Sequence, residues 1–300
     1  MKLKLLLPVM AFSTIALAQN HNPNSAVYGN IEDALAHKAT ATQLNFRDKG
    51  IFFIPQEITQ LRDLQFLNLM GNNLELLDEN LFTLKKLEVL NLKLNALHYL
   101  PDEIGKLSHL IRLDVSDNNI TALPVNIEKL QKLRFIHLSY NSLTALPDEI
   151  GQCSSLQAIE ASGNQLSTLP ESLSKLKGLK ALQLGYNQFN EFDSSWLLMQ
   201  NLNELNLEYN QLKKLPEDIG RLKNLKSLIV NSNRLEALPE GVTALQNLEL
   251  LSLSKNNITK LPATLTGLQN LKTLILTGNP IAKTEQERIK KALPECSVYF

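Results

Sequence analysis

Apolar and polar residues follow one another along this chain in an order that recurs every 23 residues. In the copy from Leu133 to Ser155, positions one, four and six are apolar, Asn141 stands at position nine, and a Leu-Pro pair fills positions fourteen and fifteen. Around positions three to seven, apolar and polar residues alternate, which is typical of a β-strand with one buried face. The copies begin at Ala41, Leu64, Leu87, Leu110, Leu133, Leu156, Leu179, Leu202, Leu225, Leu248 and Leu271.

Eleven copies at one period predict a solenoid, in which each repeat buries its apolar face against the next. Successive strands are expected to run in the same direction, because a crossover of about 16 residues passes over the same side of the sheet each time. Only one face of each strand is apolar enough to be covered, so we expect the other face to be bare.

Two recurring residues have a structural role in this pattern. Asparagine occupies position nine from Asn72 to Asn279, with Lys49 as the departure, and its amide is expected to bond main-chain groups in the turn after each strand. Proline occupies position fifteen in eight of ten full repeats, where it fixes φ in the returning turn. Asp78 and Asp193 replace it in the other two, and each is expected to cap a short helix.

The first 18 residues have the pattern of an export signal. Lys2 and Lys4 precede an apolar run, and Ala16-Leu17-Ala18 has the small-x-small order that signal peptidase cuts. The apolar run is shorter than the ~20 residues that a helix needs to span a bilayer. We therefore predict cleavage before Gln19, no membrane span, and an exported protein in the periplasm, at the cell surface or secreted.

The two ends of the repeat array are predicted to be caps, since terminal repeats otherwise expose their apolar faces. The N-terminal cap comprises residues 19–40 and contains a short helix that begins at Asn30. The repeats then occupy residues 41–281. In the C-terminal cap, residues 282–300, Thr284 and Glu287 form a capping-box signature at the start of a helix that Pro294 ends, and an apolar strand follows.

Composition argues against several classes of function. Lys plus Arg and Asp plus Glu number 30 each, so neither a basic nucleic-acid footprint nor an acidic tail is present. Cys153 and Cys296 should lie on the order of 30 Å apart, too far for a disulfide, and Cys153 replaces a core leucine. Trp196 falls at a buried position of the unusual seventh repeat, so we expect core packing there rather than a cofactor site. No cofactor and no metal are expected.

The repeats resemble the leucine-rich repeat family, in its 23-residue class with an LPxxI second half. The similarity runs from Ala41 to Ile281, and both ends are similar to the caps of exported bacterial members. The resemblance implies an α/β solenoid shaped as a horseshoe, with a concave parallel β-sheet and short helical or 3-10 turns on the convex side. For most members it also implies protein recognition on the concave side, and it supplies no catalytic residues.

Positions three, five, seven and eight should line that concave sheet. Their apolar members in repeats two to five are expected to be exposed together over about 15 Å, rimmed by charged residues, which often marks an interface. The alternative is that the aromatic residues pack against one another across the strands. The predicted partner-binding residues are Phe66, Met70, Val89, Leu94, Arg112, Asp114, Phe135, His137 and Tyr140.

Asp114, His137 and Glu160 occupy one column on three consecutive strands. A flat open sheet lacks the pocket and the supporting shell that a metal site or a general base requires. We therefore expect a solvated histidine between two carboxylates. With Glu204 and Glu208 nearby in the array, the middle repeats should be acidic and favour a basic partner segment.

The leading hypothesis is an exported, non-enzymatic and monomeric protein that recognises a protein partner. One alternative is a structural or surface-adhesion protein that binds glycan or copies of itself. Another is an intracellular signalling scaffold, which requires residues 1–18 to be retained. The third is an enzyme that uses the Asp114, His137 and Glu160 column.

Overall fold

The structure is a computed structural model that describes residues 22–300. The predicted export signal, residues 1–18, and the cleavage site before Gln19 lie outside the described residues. Within residues 22–300, no helix has both the length and the apolar character required to cross a bilayer.

One parallel sheet runs through the whole described chain, with its strands in sequence order. In repeats one to ten each strand pairs in register with the strand 23 residues further on, as Phe66 does with Val89. This architecture confirms the predicted solenoid. The thirteen strands of residues 22–300 are β1 (Val27–Tyr28), β2 (Gln43–Asn45), β3 (Phe66–Asn68), β4 (Val89–Asn91), β5 (Arg112–Asp114), β6 (Phe135–His137), β7 (Ala158–Glu160), β8 (Ala181–Gln183), β9 (Glu204–Asn206), β10 (Ser227–Ile229), β11 (Leu250–Ser252), β12 (Thr273–Ile275) and β13 (Ser297–Tyr299).

Each repeat strand contains only positions three to five, and the residues at positions four and six point into the core. In repeat five these residues, Ile136 and Leu138, are completely buried. Alternation along the strand therefore sends positions three and five to the opposite face, which we call the concave face.

The convex side consists of short 3-10 turns. Most of them begin directly after position fifteen, where Pro147, for example, has φ −71° and ψ 151° and lets the chain enter the turn at residue 148. The nine turns in the described part of the chain are Gln56–Gln60, Glu79–Thr83, Asp102–Lys106, Val125–Lys129, Asp148–Gln152, Glu171–Lys175, Ser194–Leu198, Ile219–Arg221 and Glu240–Ala244.

The two aspartates at position fifteen behave differently from each other. Asp193 caps its turn as predicted, since its carboxylate accepts from the Ser195 N–H at 2.7 Å. The prediction is wrong for Asp78, whose Oδ2 accepts instead from the Ile54 N–H of the preceding repeat at 3.0 Å. A carboxylate at this position can therefore join two repeats as well as cap one.

The asparagines at position nine form a ladder along the array, as predicted. Asn118 donates to the carbonyl oxygens of Leu92 and Val115, each at 3.0 Å, and its own side-chain oxygen accepts from the Leu97 N–H at 3.0 Å. Equivalent bonds recur at every asparagine from Asn72 to Asn279. Each one satisfies main-chain groups that the three-residue strands leave without a ladder partner.

Position eight has a left-handed backbone in all eleven repeats, a feature that the sequence analysis did not predict. Residues other than glycine adopt this conformation at an energetic cost, so the turn at the end of each strand imposes it on them. The φ values lie between 50° and 81°, for Asp48, Gly71, Leu94, Asp117, Tyr140, Gly163, Tyr186, Tyr209, Ser232, Lys255 and Gly278.

At the N-terminal end, helix α1 (Ile31–Ala36) begins after Asn30, whose side-chain oxygen accepts from the Asp33 N–H at 2.8 Å. Strand β1 precedes this helix and pairs with β2, which extends the sheet by one strand that the sequence analysis missed.

At the C-terminal end, helix α2 (Lys283–Ala292) begins one residue before Thr284, with Ala282 as its N-cap. The predicted capping box of Thr284 and Glu287 is therefore wrong. In the first turn of α2, Glu285 accepts from the Leu261 N–H at 2.9 Å while also binding Arg288. After α2, β13 pairs with β12 and covers the last repeat, as predicted for the tail.

Two buried side chains match their predicted roles. Cys153 is completely buried, its thiol donates to the Ile127 carbonyl at 3.2 Å, and burial raises its pKa to about 12. Cys153 and Cys296 are both free thiols. Trp196 is buried edge-on against Phe189, with ring centroids 5.4 Å apart, which confirms core packing in the seventh repeat.

Candidate functional site

The predicted partner-binding residues lie on four neighbouring strands of the concave face or in the turns that follow them. At position three, Phe66, Val89, Arg112 and Phe135 form one row across β3 to β6, each paired in register with the next. The array therefore does bring these positions side by side.

The exposure of the predicted apolar residues differs from the prediction. Leu94 and Tyr140 are exposed, at 46% and 58%, whereas Met70, Val89 and Phe135 are half-buried. Phe66 is only 9% exposed, so the prediction of a jointly exposed cluster is wrong for this residue. Strands about 4.8 Å apart bring large side chains of one row into contact, which is the packing alternative for the aromatic residues.

Two charged residues that were predicted to rim the cluster are buried within it. Arg112 is 4% exposed, and its guanidinium carbon lies 4.4 Å from the centroid of the Phe135 ring. Asp114 is also buried, and its Oδ1 accepts from the Ser116 N–H at 3.0 Å. Neither residue therefore projects from the edge of the cluster.

His137 joins Arg112 to Glu160 in a chain of hydrogen bonds. Its Nε2 lies 2.9 Å from Arg112 Nη1, and its Nδ1 lies 2.8 Å from Glu160 Oε2. Because an arginine only donates, Nε2 must accept and Nδ1 must donate, so the imidazole is neutral. The predicted solvated histidine between two carboxylates is therefore wrong, since Asp114 bonds the backbone and His137 is largely buried.

The residues joined by these hydrogen bonds have shifted pKa values. Burial by itself raises the pKa of Glu160, but the hydrogen bond from His137 and the charge of Arg112 outweigh that effect and hold the pKa below its ordinary value. Burial lowers the pKa of Arg112. Throughout residues 22–300, no cluster of three His, Cys, Asp or Glu side chains is arranged to hold a metal ion.

Further along the concave face, Glu204 on β9 is half-buried, and its burial together with the nearby Glu160 carboxylate raises its pKa. Glu208 follows at position seven and accepts from the Asn206 side chain at 3.3 Å. Asp117 is neutralised by Lys93, 3.2 Å away. The middle of the concave face is therefore acidic at Glu204 and Glu208.

A second exposed apolar surface escaped the sequence analysis. It lies at positions twelve and thirteen of the first three repeats, between the strand and the convex turn. We call this surface the outer edge. The most exposed member is Phe53, at 75%. The signal was available, because these positions are polar or small in most other repeats. Its members are Phe52, Phe53, Leu76 and Tyr99.

Family models match most of the array. A leucine-rich repeat region model matches residues 79–191, and a leucine rich repeat model matches residues 177–235 and 223–281, which together make up about two-thirds of the chain. The chain belongs to the leucine-rich repeat family. Proteins with this repeat typically serve as protein-interaction modules. Among the curated proteins, none matches this leucine-rich repeat chain significantly.

Solved structures of leucine-rich repeat proteins resemble the chain. One from Leptospira interrogans is 29% identical, with 92% of this chain and 100% of that chain covered and a TM-score of 0.54. An internalin from Listeria monocytogenes is 20% identical, with 90% and 87% covered and a TM-score of 0.71. A plant membrane receptor kinase ectodomain from Arabidopsis thaliana, in complex with CASPARIAN STRIP INTEGRITY FACTOR 2, is 23% identical, with 91% and 36% covered and a TM-score of 0.62. The last two likenesses show the fold alone.

Proposed function

We propose that this leucine-rich repeat chain is an exported, non-enzymatic recognition module that binds a protein partner through its concave face, most strongly at repeats two to five. The carrying observation is the apolar surface left on that face. Leu94 and Tyr140 are exposed and Met70, Val89 and Phe135 half-buried, although the core lies on the other side of the sheet. A contiguous apolar surface with charged neighbours is characteristic of an interface.

Arg112 holds part of this surface in place from within. The stacking of Arg112 on Phe135 and its bond to His137 fix the orientation of two side chains that remain partly accessible. Pre-ordered side chains lose little entropy on binding, which favours affinity.

The deciding experiment compares two surfaces of one protein. The protein carrying Leu94→Ser together with Met70→Ser is used to capture extracellular and envelope proteins. The matched control is Leu76→Ser with Val125→Ser, which replaces exposed apolar residues outside the concave face. We expect the first variant to lose at least roughly tenfold of the captured partner and the control to retain it, because buried apolar contacts dominate affinity. Equal capture by both variants, with unchanged melting temperature, would place the interface elsewhere.

Export and oligomeric state are measured separately. We expect the intact mass of the exported protein to correspond to cleavage before Gln19, and sedimentation of that protein to show a monomer. Retention of residues 1–18 would favour the intracellular scaffold, and concentration-dependent assembly would favour the structural alternative.

A further inference from the structure

Three tyrosines follow the rim of the concave face from repeat five to repeat eight. Tyr140, Tyr186 and Tyr209 occupy position eight of their repeats and are all exposed. Repeat six has Gly163 at the same position, and in the sequence it interrupts the row.

In the structure the gap at Gly163 is filled by the Tyr140 ring. A Cβ atom on Gly163 would lie 2.6 Å from Cδ1 of Tyr140, so the Tyr140 ring occupies the space that a side chain would fill. On the other side, the rings of Tyr186 and Tyr209 are stacked with centroids 4.2 Å apart and planes 13° apart. The three rings therefore lie along four neighbouring repeats over about 15 Å, with Tyr140 over Gly163 and the stacked pair in the next two repeats.

The pKa of Tyr186 is affected by the two other tyrosines and by a carboxylate. Burial, a hydrogen bond with Tyr209 and the proximity of Tyr209, Glu208 and Tyr140 raise its pKa to about 12. The rings thus lie within reach of Glu208, which directly precedes Tyr209 in the sequence.

Carboxylates border the inner side of the rings. Within residues 22–300, neither Glu204 nor Glu208 forms an ion pair, in contrast to Asp117, which pairs with Lys93. Burial and the charge of Glu160 already disfavour the ionised form of Glu204. A cation placed here would relieve that repulsion, whereas a neutral ligand would desolvate the carboxylates further.

We propose that the surface formed by Tyr140, Tyr186, Tyr209, Glu204 and Glu208, which we call the tyrosine-carboxylate strip, binds a basic segment of the protein partner. Arginine or lysine side chains of that segment lie against the tyrosine rings and pair with the two carboxylates. Cations are attracted to aromatic faces and to unpaired carboxylates alike, so both halves of the strip select the same chemistry. This inference rests on the proposed function and specifies the partner.

The test uses labelled ten-residue peptides with alternating glycine and arginine, glutamate or asparagine, titrated into the purified protein and followed by fluorescence anisotropy. The arginine peptide should bind, and its affinity should fall with added salt, because exposed charge pairs are screened. The other two peptides should not bind. Equal binding of the arginine and asparagine peptides, or no binding of the arginine peptide at millimolar concentration, would overturn the proposal.

Variants locate the binding. Tyr186→Ala or Tyr209→Ala should each weaken the arginine peptide roughly threefold. Glu204→Gln with Glu208→Gln should weaken it roughly tenfold and flatten the salt dependence. Tyr99→Ala and Glu236→Gln remove the same groups from exposed positions elsewhere, and we expect no change. An equal loss in these controls would show non-specific attraction and contradict the strip.

Partner capture separates the two proposals. If Leu94→Ser with Met70→Ser abolishes capture and the strip variants do not, the proposed function stands and the strip is wrong. If the strip variants alone abolish capture, the strip is correct and the interface lies further along the concave face than repeats two to five.

Discussion

Arg112 Nη1 donates to His137 Nε2 across 2.9 Å. This bond makes an imidazole the acceptor for an arginine that is 4% exposed, on a face of the sheet that has no second layer. The other nitrogen of His137 then donates to Glu160 at 2.8 Å, so one neutral ring separates and orients two opposite charges.

Replacing His137 by alanine should therefore cost more than a surface substitution does. The change removes both bonds and leaves Nη1 of Arg112 unpaired, next to an Nη2 that already has no partner within the described residues. We expect the free energy of unfolding to fall by about 2 to 3 kcal/mol, as for lost hydrogen bonds to charged groups, measured by urea denaturation.

His109 provides the matched control, since it is an exposed histidine at the end of repeat three. His109→Ala should change the free energy of unfolding by less than about 0.5 kcal/mol. Similar losses for the two alanine variants would mean that the bonds of His137 contribute nothing beyond a generic effect.

The asparagine ladder offers a comparison between adjacent residues. Asn118→Ala removes the partners of the Leu92 and Val115 carbonyls and of the Leu97 N–H, and should lower the free energy of unfolding by about 3 kcal/mol. Asn119→Ala, at an exposed position, should change it by less than about 0.5 kcal/mol. Denaturant unfolding of both variants tests this, and a cost at Asn118 no larger than at Asn119 would contradict it.

The repeats were predictable because burial recurs with the sequence period. Position four is apolar in every copy, so the strands and their register follow from the pattern alone. Position eight has no residue type common to all copies, and glycine fills it only at Gly71, Gly163 and Gly278, so its left-handed backbone is a property of the turn rather than of the side chain. Strand β1 has two residues, too few for an alternation to be visible.

The sequence predicted which residues of the candidate site lie next to one another, but not which of their side chains are exposed. Sequence period places Asp114, His137 and Glu160 in one column, whereas rotamers decide that His137 turns to Arg112 and that Asp114 turns to its own backbone. The start of α2 at residue 283 also departs from the local capping pattern, and that pattern does not reveal the contact between Glu285 and the distant Leu261.

That contact should make the C-terminal cap sensitive to acid. The hydrogen bond from Arg288 holds the pKa of Glu285 below its ordinary value, against an opposing effect of burial. A depressed carboxyl pKa contributes stability that is present above the unfolded value of about 4.3 and is lost as the pH falls through the folded value. Glu285→Gln should therefore destabilise the protein at neutral pH, with a difference in melting temperature that disappears in acid.

Glu204→Gln should behave in the opposite way. Burial and Glu160 raise the pKa of Glu204, so its ionised form destabilises the folded state above the folded pKa. The amide should raise the melting temperature at neutral pH, and this gain should also vanish in acid, where the wild-type carboxyl is protonated. A loss of stability in both variants at neutral pH would contradict the assignment of opposite shifts.

Gly163 has two roles, since it adopts a left-handed backbone and leaves space for the Tyr140 ring. Its φ is +68°, and a Cβ atom would meet the Tyr140 ring at 2.6 Å. Gly163→Ala should lower the free energy of unfolding by about 1 to 2 kcal/mol through the left-handed backbone and also displace the Tyr140 ring. Gly29→Ala is the control, because a Cβ there meets nothing within 4 Å. Unfolding measurements give the stability, and nuclear Overhauser contacts between residue 163 and the Tyr140 ring report its position. Wild-type stability with an unmoved ring would show that the row does not need a glycine.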